Sequence, residues 1–368
     1  MRYLPLCSLV VGLFWPVTTL RAQLIVSVPA HSAAYTSAAA VSTLAGMAGS
    51  KGAIDSSGAA ARFARPMGVG VAPNGTVYVA DEENMTIRHL SPSGEVTAMA
   101  GGIGTKGSAD GPGPAARFFH PVGLAVAADG TVFVTDTDNH TIRKIGTDGI
   151  VSTLAGNIGR KGTADGISRV AQFNLPHGMA VAANGTLYVA DTNNHTIRKI
   201  TPDGQVTTLA GLAGRKGSTD GIGSAARFFH PAAVAVDGQS NLYVADNGNE
   251  TIRKITLAGE VTTLAGTAGH GGYANGAGAV ARFRSPTGVA VDARGNVYVA
   301  DHLNALLRQI TPAGDVTTLA GMVLHFGSED GAGSTARFNG PSGIATDASG
   351  NLYLTDSENH TVRKINLK

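Results

Sequence analysis

Three histidines beside prolines are the side chains of this sequence best suited to chemistry. His120 and His230 each precede a proline, whereas His177 follows Pro176. Imidazole is a common metal ligand and acid–base group near neutral pH, and three imidazoles can hold a catalytic zinc ion. A shift of one residue along a strand, however, turns a side chain to the opposite face. Two interpretations of His177 therefore stand, a metal-binding or catalytic residue and a polar residue lining a channel.

An Asp and an Arg recur at a constant step of 55 residues, in six copies of one phrase such as Val-Tyr-Val-Ala-Asp81. The aspartates are Asp81, Asp136, Asp191, Asp246, Asp301 and Asp356, and the arginines are Arg88, Arg143, Arg198, Arg253, Arg308 and Arg363. Six carboxylates could be catalytic, but a group present in every copy is expected to serve the repeat itself. We predict that each Asp lies in a turn and each Arg on a strand, where the two bridge strands or blades.

A second set of acidic residues stands before glycine in the segments between repeats. Its members are Asp110, Asp165, Asp220 and Asp330. Calcium needs six or more oxygen ligands, several of them carboxylates. Each segment supplies one such Asp, so a turn is favoured over a calcium loop.

The elements that position these residues are predicted to be short strands. The segments of the third repeat are residues 177–181, 187–190, 196–200 and 206–210. The first is nearly all apolar, as expected of a strand covered on both faces, and Asn184-Gly185 after it is a strong hairpin signal. Four antiparallel strands without a helix predict a propeller blade. We therefore predict an all-β, six-bladed β-propeller of four-stranded antiparallel blades.

The two ends of the repeat array complement each other. The last repeat stops at Ile365 after three strands, and residues 41–46 form a lone outer strand before the first full repeat. Pairing this N-terminal outer strand with the C-terminal three strands would close the ring and leave few exposed edges. Residues 41–368 are therefore predicted to form the propeller.

Residues 1–22 have the features of a secretory signal peptide, with Arg2 before an apolar run and a small residue at Ala22. Residues 23–40 are predicted to be a flexible lead-in. The formal charge of +2 becomes zero when the signal is removed, and the only cysteine, Cys7, leaves with it. We predict an exported monomer, periplasmic or secreted, without a membrane span in the mature chain. Nucleic-acid binding is not expected, because it needs a concentrated basic surface.

The phrase at residues 190–200, Ala-Asp-Thr-Asn-Asn-His-Thr-Ile-Arg-Lys-Ile, resembles the NHL repeat. The characteristic triplets are Asn139-His140-Thr141, Asn194-His195-Thr196 and Asn359-His360-Thr361. The resemblance covers residues 41–365 and implies six blades, but no single activity. In peptide-amidating lyases of this family, a His after Pro binds zinc in three blades, and Leu175-Pro176-His177-Gly178 matches that motif once. The other two ligand positions do not match, so no cofactor is predicted and a divalent metal stays an alternative.

The second-to-third-strand turns and the long links between blades are predicted to share one face, which we call the long-loop face. Loops on a rigid scaffold commonly carry binding residues. The candidates on this face are His120, His177, His230, Arg160, Lys161, Arg215, Lys216 and Tyr273. Lys51 and Lys106 extend the basic residues into an arc, and residues 301–307 in the fifth repeat are unusually apolar.

The predicted function is a binding module for a protein, peptide or glycan on the long-loop face. Enzymatic activity is less favoured. The alternative is a metal-assisted lyase or hydrolase that acts at the mouth of the central channel, with His177 as its candidate residue.

Overall fold

The computed structural model describes residues 39–367, which form six antiparallel sheets. The innermost strand of each sheet contacts the innermost strand of the next, and the sixth contacts the first. The sheets are therefore the blades of a closed six-bladed propeller, and this part of the prediction is confirmed. The signal peptide predicted for residues 1–22 and most of the lead-in predicted for residues 23–40 fall outside the described residues. The last two residues of that lead-in, Ala39 and Ala40, belong instead to a strand. No helix within 39–367 has the length and apolarity needed to cross a membrane.

Each blade contains an inner, a second, a third and an outer strand in that order from the channel outwards. The inner strands are Pro66–Val71, Pro121–Val126, Pro176–Val181, Pro231–Val236, Pro286–Val291 and Pro341–Thr346. The second strands are Val77–Asp81, Val132–Asp136, Leu187–Asp191, Leu242–Asp246, Val297–Asp301 and Leu352–Asp356. The third strands are Thr86–Leu90, Thr141–Ile145, Thr196–Ile200, Thr251–Ile255, Leu306–Ile310 and Thr361–Leu367. The outer strands of blades 1 to 5 are Glu95–Ala100, Ile150–Ala155, Gln205–Ala210, Glu260–Ala265 and Asp315–Gly321.

The predicted strand count of four per blade is wrong by one. A two-residue edge strand from the preceding link pairs with the outer strand of every blade. The edge strands are Ser56–Ser57, Gly111–Pro112, Gly166–Ile167, Gly221–Ile222, Gly276–Ala277 and Gly331–Ala332. Each link therefore follows the outer side of the next blade before it returns to the channel. This pairing covers two residues at one end of the hydrogen-bonding edge that a four-stranded blade would expose.

Short 3-10 helices make the turns on the long-loop face. Those after the second strands are Glu82–Asn84, Thr137–Asn139, Thr192–Asn194, Asn247–Asn249, His302–Asn304 and Ser357–Asn359. Four others lie in the links: Gly58–Ala60, Ser168–Val170, Gly223–Ala225 and Gly278–Val280. Each turn brings the end of a second strand directly beside the start of a third strand.

The ring closes through the two ends of the array, as predicted. Ala39–Ala45 is the outer strand of blade 6 and pairs antiparallel with Thr361–Leu367. The pairing runs from Ala39 opposite Leu367 to Ala45 opposite Val362. The closing strand also pairs with the edge strand Gly331–Ala332, so it lies inside the blade-6 sheet.

The hydrophobic core lies between neighbouring blades. Phe118, from the link, is fully buried and packs with Ile87 of blade 1 and Val134 of blade 2. Near the axis, Gly123 allows close approach of the inner strands, because a Cβ there would lie 2.2 Å from the carbonyl oxygen of His177. These contacts hold the inner strands rigidly around the channel.

Candidate functional site

The repeated Asp and Arg lie in the interior, where they join three segments of each blade. In blade 3, Asp191 Oδ2 accepts hydrogen bonds from Arg198 Nη1 and from Asn194 Nδ2, both at 2.7 Å. Asp191 Oδ1 accepts a third hydrogen bond, from the backbone N–H of Asn174 at 2.8 Å. All six Asp–Arg pairs have N–O distances between 2.6 and 3.0 Å. The contacts tie the second and third strands to the link, and the aspartates are fully buried.

Burial raises the pKa of Asp191 to about 6, and the Arg198 guanidinium, the Asn174 N–H and the Asn194 amide oppose that increase. The carboxylate is therefore ionised at neutral pH. Arg198 also packs over the Phe173 ring, with Cζ 5.0 Å from the ring centroid. A buried carboxylate with all these partners is placed to hold the blade together and has no access to a substrate in the channel.

The second set of aspartates binds the same arginines. Asp165 Oδ1 accepts from Arg198 Nη2 at 2.7 Å, and Thr208 donates to both carboxylate oxygens through its backbone N–H and its hydroxyl. Within residues 39–367, no group of three or more His, Cys, Asp or Glu side chains is arranged to hold a metal ion.

A cavity of about 360 Å³ occupies the channel on the long-loop face. The first residue after the inner-strand proline contributes one side chain from every blade. This ring consists of Met67, Val122, His177, Ala232, Thr287 and Ser342. The next ring inwards is apolar and consists of Val69, Leu124, Met179, Val234, Val289 and Ile344. His177 is therefore the one imidazole in the first ring, which also contains the hydroxyls of Thr287 and Ser342.

The His177 side chain faces the open channel and is therefore half-buried. Protein atoms nevertheless surround the imidazole on all sides of the channel. This burial lowers the pKa of His177 to about 4, although Asp138 acts in the opposite direction. At neutral pH the imidazole is uncharged and offers one donor and one acceptor to a ligand.

We expect an NMR titration of the His177 ring to give a midpoint near pH 4, because charging the imidazole in the channel loses hydration. The unfolded chain restores the ordinary pKa of about 6.5. The stabilising contribution of neutral His177 is therefore complete above about pH 6.5 and is lost as the pH falls towards 4. The spectrum of His177→Ala assigns the signal. A midpoint near the ordinary value would show that the ring is solvated.

His230 lines the same cavity as His177, contrary to the expectation that a one-residue shift puts the two on opposite faces. The reason is local backbone geometry, since His230 has a φ of 48° and precedes the regular strand. Its ring packs at a tilt against the rings of Phe229 and His195, with centroids 4.7 and 4.8 Å apart. Lys216 Nζ lies 4.6 Å from the Phe229 centroid. Blades 3 and 4 thus present an aromatic, basic rim.

His120 has the same left-handed backbone, with a φ of 50°, but its side chain turns to an acidic partner. Its Nδ1 lies 2.7 Å from Asp138 Oδ2. On the neighbouring blade, Arg65 bridges Glu82 at 2.7 Å and Glu358 at 3.3 Å. This half of the rim, from blades 6, 1 and 2, carries paired charges, so the mouth differs from one side to the other.

The histidines of the NHL-type triplets, His140, His195 and His360, contribute to packing between neighbouring blades. The N–H groups of Leu175, His230 and Arg65 donate to Nδ1 of His140, His195 and His360 of the preceding blade, at 3.3, 3.3 and 3.1 Å respectively. A bond of this kind uses Nδ1 as the acceptor, and His195 Nδ1 also lies 3.1 Å from the carbonyl oxygen of Thr192, to which a protonated Nδ1 would donate. The three histidines therefore join blades 2 to 3, 3 to 4 and 6 to 1.

The other predicted binding residues lie on the links. Arg160, Lys161, Arg215 and Lys216 are exposed, and none of them forms an ion pair within the described part of the chain. Tyr273 is 37% exposed. Lys106 Nζ lies 5.1 Å from the Phe119 centroid, whereas Lys51 pairs with Glu83. The basic arc thus follows the rim and does not line the cavity.

Sequence reasoning missed several side chains at the cavity. Asn193 and Asn247 line it from the turns of blades 3 and 4, together with Thr192 and Leu175. A signal was present, because the two residues after the repeated Asp vary from copy to copy. Positions that differ from copy to copy, as His177 and these residues do, are candidates for a role other than the structure of the repeat.

Six sheets around a ligand-sized channel mouth define a β-propeller with a candidate site on its axis. The family model for the NHL repeat matches residues 63–90, 118–145, 173–200, 283–309 and 338–365. The chain therefore belongs to the NHL-repeat β-propellers. The corresponding segment of blade 4 lies outside those matches, although blade 4 has the same strand order as the other blades.

The chain is 30% identical over 270 residues to NHL repeat-containing protein 2 of Bos taurus, an alignment that covers 64% of this chain and 37% of that protein. It spans less than half the length of the first curated relatives it matches.

Among solved structures, an auxiliary nutrient binding protein from Bacteroides thetaiotaomicron matches with a TM-score of 0.67 and 16% identity, over 89% of this chain and 76% of that one. A catalytically inactive virginiamycin B lyase from Staphylococcus aureus with quinupristin matches with a TM-score of 0.54 and 16% identity, over 90% and 100%. At these identities the similarity shows the fold alone.

Proposed function

We propose that this propeller is an exported binding module that holds its ligand at the channel mouth on the long-loop face. The observation that carries the proposal is the cavity of about 360 Å³, into which His177, His230, Asn193 and Asn247 project from blades 3 and 4. A concave, largely apolar pocket with a few convergent polar groups is the usual form of a small-ligand site.

The shape and polarity of the mouth support a ligand that is partly apolar and partly polar. The apolar ring of the channel would cover its end, while neutral imidazole and amide groups can exchange donors and acceptors with it. A peptide side chain or a glycan unit fits this description. The exposed basic arc, with Arg160 and Arg215, would attract an acidic partner as it approaches. The name of the auxiliary nutrient binding protein, which shares the fold, agrees with a binding role.

A second candidate is an enzyme acting at the same mouth, as a lyase or hydrolase. The observation in its favour is the His120–Asp138 pair at 2.7 Å, because a carboxylate on Nδ1 orients an imidazole as a general base. A divalent metal beside His177 belongs to this candidate. Elemental analysis of the purified protein after dialysis separates the two, since one equivalent of zinc or calcium per chain would favour the enzyme.

We expect that filling the cavity weakens ligand binding. Ligand-observed NMR with defined sugars, short peptides and organic acids would identify a binder to the wild-type protein. We expect Ala232→Phe, in the channel ring, to weaken that binding by at least about tenfold, as loss of a central contact does. His177→Ala should weaken it as well.

Ala183→Phe is the matched control, because Ala183 is exposed at the opposite mouth of the channel. It should leave binding unchanged. A ligand whose binding is unchanged by Ala232→Phe but lost in Ala183→Phe would place the site at the opposite mouth of the channel and overturn the proposal.

A further inference from the structure

One blade lacks a charge that the other five contain. Every buried third-strand Arg is held by the Asp at the end of the second strand and by a second side chain just before the edge strand. In five blades that second side chain is an aspartate: Asp55, Asp110, Asp165, Asp220 and Asp330. In blade 5 it is Asn275, whose Oδ1 accepts from Arg308 Nη2 at 2.8 Å.

The two hydrogen bonds that reach the Asn275 side chain both come from donors. In blade 3, Asp165 accepts from Arg198 Nη2, from the Thr208 hydroxyl at 3.0 Å and from the Thr208 N–H at 3.1 Å. In blade 5, Thr318 takes the place of Thr208, and its hydroxyl donates to Asn275 Oδ1 at 3.2 Å. The third bond, from the Thr318 N–H, does not form within the described structure.

An amide satisfies only part of this site, because one of its two polar atoms is a donor. With Oδ1 towards Arg308, the Asn275 NH2 takes the place of the second acceptor that Asp165 presents to the Thr208 N–H in blade 3. A flipped amide would instead direct its NH2 at the guanidinium. A carboxylate accepts from all of these donors, because both of its oxygens are acceptors. The site is therefore built for aspartate.

We propose that Asn275 is a modification site, where the side-chain amide is converted to a carboxylate by spontaneous deamidation across the Asn275–Gly276 bond. Gly276 has no Cβ to obstruct attack by its own nitrogen. It belongs to the two-residue edge strand Gly276–Ala277, and so short an edge strand can open locally.

The reaction needs only water. The Gly276 backbone nitrogen attacks Cγ of Asn275, the new N–Cγ bond forms, and Nδ2 leaves as ammonia with the proton released from that nitrogen. Water then adds to Cγ of the cyclic imide and the N–Cγ bond breaks. The proton returns to the Gly276 nitrogen, which leaves aspartate. The net change is amide plus water to carboxylate plus ammonium.

The site favours both the step and its product. Arg308 Nη2 donates to the oxygen on which negative charge develops as the nitrogen adds, and a fixed donor there stabilises the transition state. The product carboxylate gains a charge-assisted bond to the same guanidinium. Conversion would give blade 5 the double ion pair of its neighbours, as a maturation step after folding.

Peptide mapping by mass spectrometry of the full chain, during incubation in water enriched in oxygen-18, tests the proposal. We expect Asn275 to become aspartate, with heavy oxygen incorporated, about tenfold faster than Asn184, which precedes Gly185 in an exposed hairpin turn without a guanidinium. Loss of one charge-assisted bond accounts for a factor of that size. Persistence of the Asn275 amide while Asn184 reacts would overturn the proposal, as would isoaspartate as the main product.

The same reaction is expected at an asparagine introduced at the equivalent position of another blade. Asp165→Asn places an amide beside Gly166 with the donors of Arg198 and Thr208, so we expect it to revert to aspartate on incubation. Asp203→Asn, before Gly204 in an exposed turn, has no such guanidinium and should react about tenfold more slowly. Equal rates for the two variants would show that the Arg and Thr donors have no effect and would contradict the mechanism.

Discussion

Replacing Arg198 by Met should lower the free energy of unfolding by about 3–5 kcal/mol, the cost of leaving a buried charge without its partner. The Arg198 and Asp191 side chains are 1% and 0% exposed. Without the guanidinium, Asp191 stays buried in the blade, and Asp165 and the carbonyls of Gln172 and Ala164 also lose their donor. Urea denaturation followed by circular dichroism measures the change.

Two control variants separate the loss of the buried pair from the loss of an arginine as such. Arg160→Met removes an exposed Arg from the link that leads into the same blade and should change stability by no more than about 0.5 kcal/mol. Adding Asp191→Asn to Arg198→Met removes the unpaired charge and should restore part of the lost stability. Wild-type stability in the Arg198→Met variant would mean that the repeated pair is not structural, and its six carboxylates would return as catalytic candidates.

Deleting residues 1–45 should prevent formation of the closed ring. The closing strand Ala39–Ala45 supplies the pairing to Thr361–Leu367 along its whole length. Its Thr43 also binds Asp330 through both the backbone N–H and the hydroxyl, each at 3.0 Å. Val41 packs in the core with Phe338. Without the strand, blade 6 exposes an unpaired edge and apolar surface, which promotes aggregation.

We expect the deleted chain to elute as aggregates in gel filtration and to lose a cooperative thermal transition. Deletion of residues 1–38 alone should leave both properties unchanged, because every described contact stays. A synthetic peptide of residues 39–46 added in trans should restore the transition, whereas a scrambled peptide should not. A well-folded monomer after deletion of residues 1–45 would contradict ring closure as the source of stability.

Repetition explains which features could be predicted from the sequence. Asp191 and Arg198 are present in six copies, so their structural role and the blade that contains them follow from the period. The closing strand could be assigned because the last repeat stops at Ile365 with one strand missing. The edge strands could not be assigned, since two residues such as Gly166–Ile167 carry no periodicity.

The geometry of the mouth was harder to predict for a different reason. The positive φ of His230 changes the direction of its side chain, and residues other than Gly seldom adopt such angles. Strand alternation therefore placed His230 away from His177, although both line the cavity. Asn193 and Asn247 lie in turns, where the repeat varies from blade to blade and a single sequence does not show which residues face the channel.

The most direct test of a binding site at the channel mouth is a crystallographic fragment screen of the protein. We expect fragments to collect in the channel cavity, in contact with His177 and His230 on the side of blades 3 and 4. Crystals of the Ala232→Phe variant should lose them. Fragments collected at the opposite mouth, beside Ala183, with an empty cavity at His177, would contradict it.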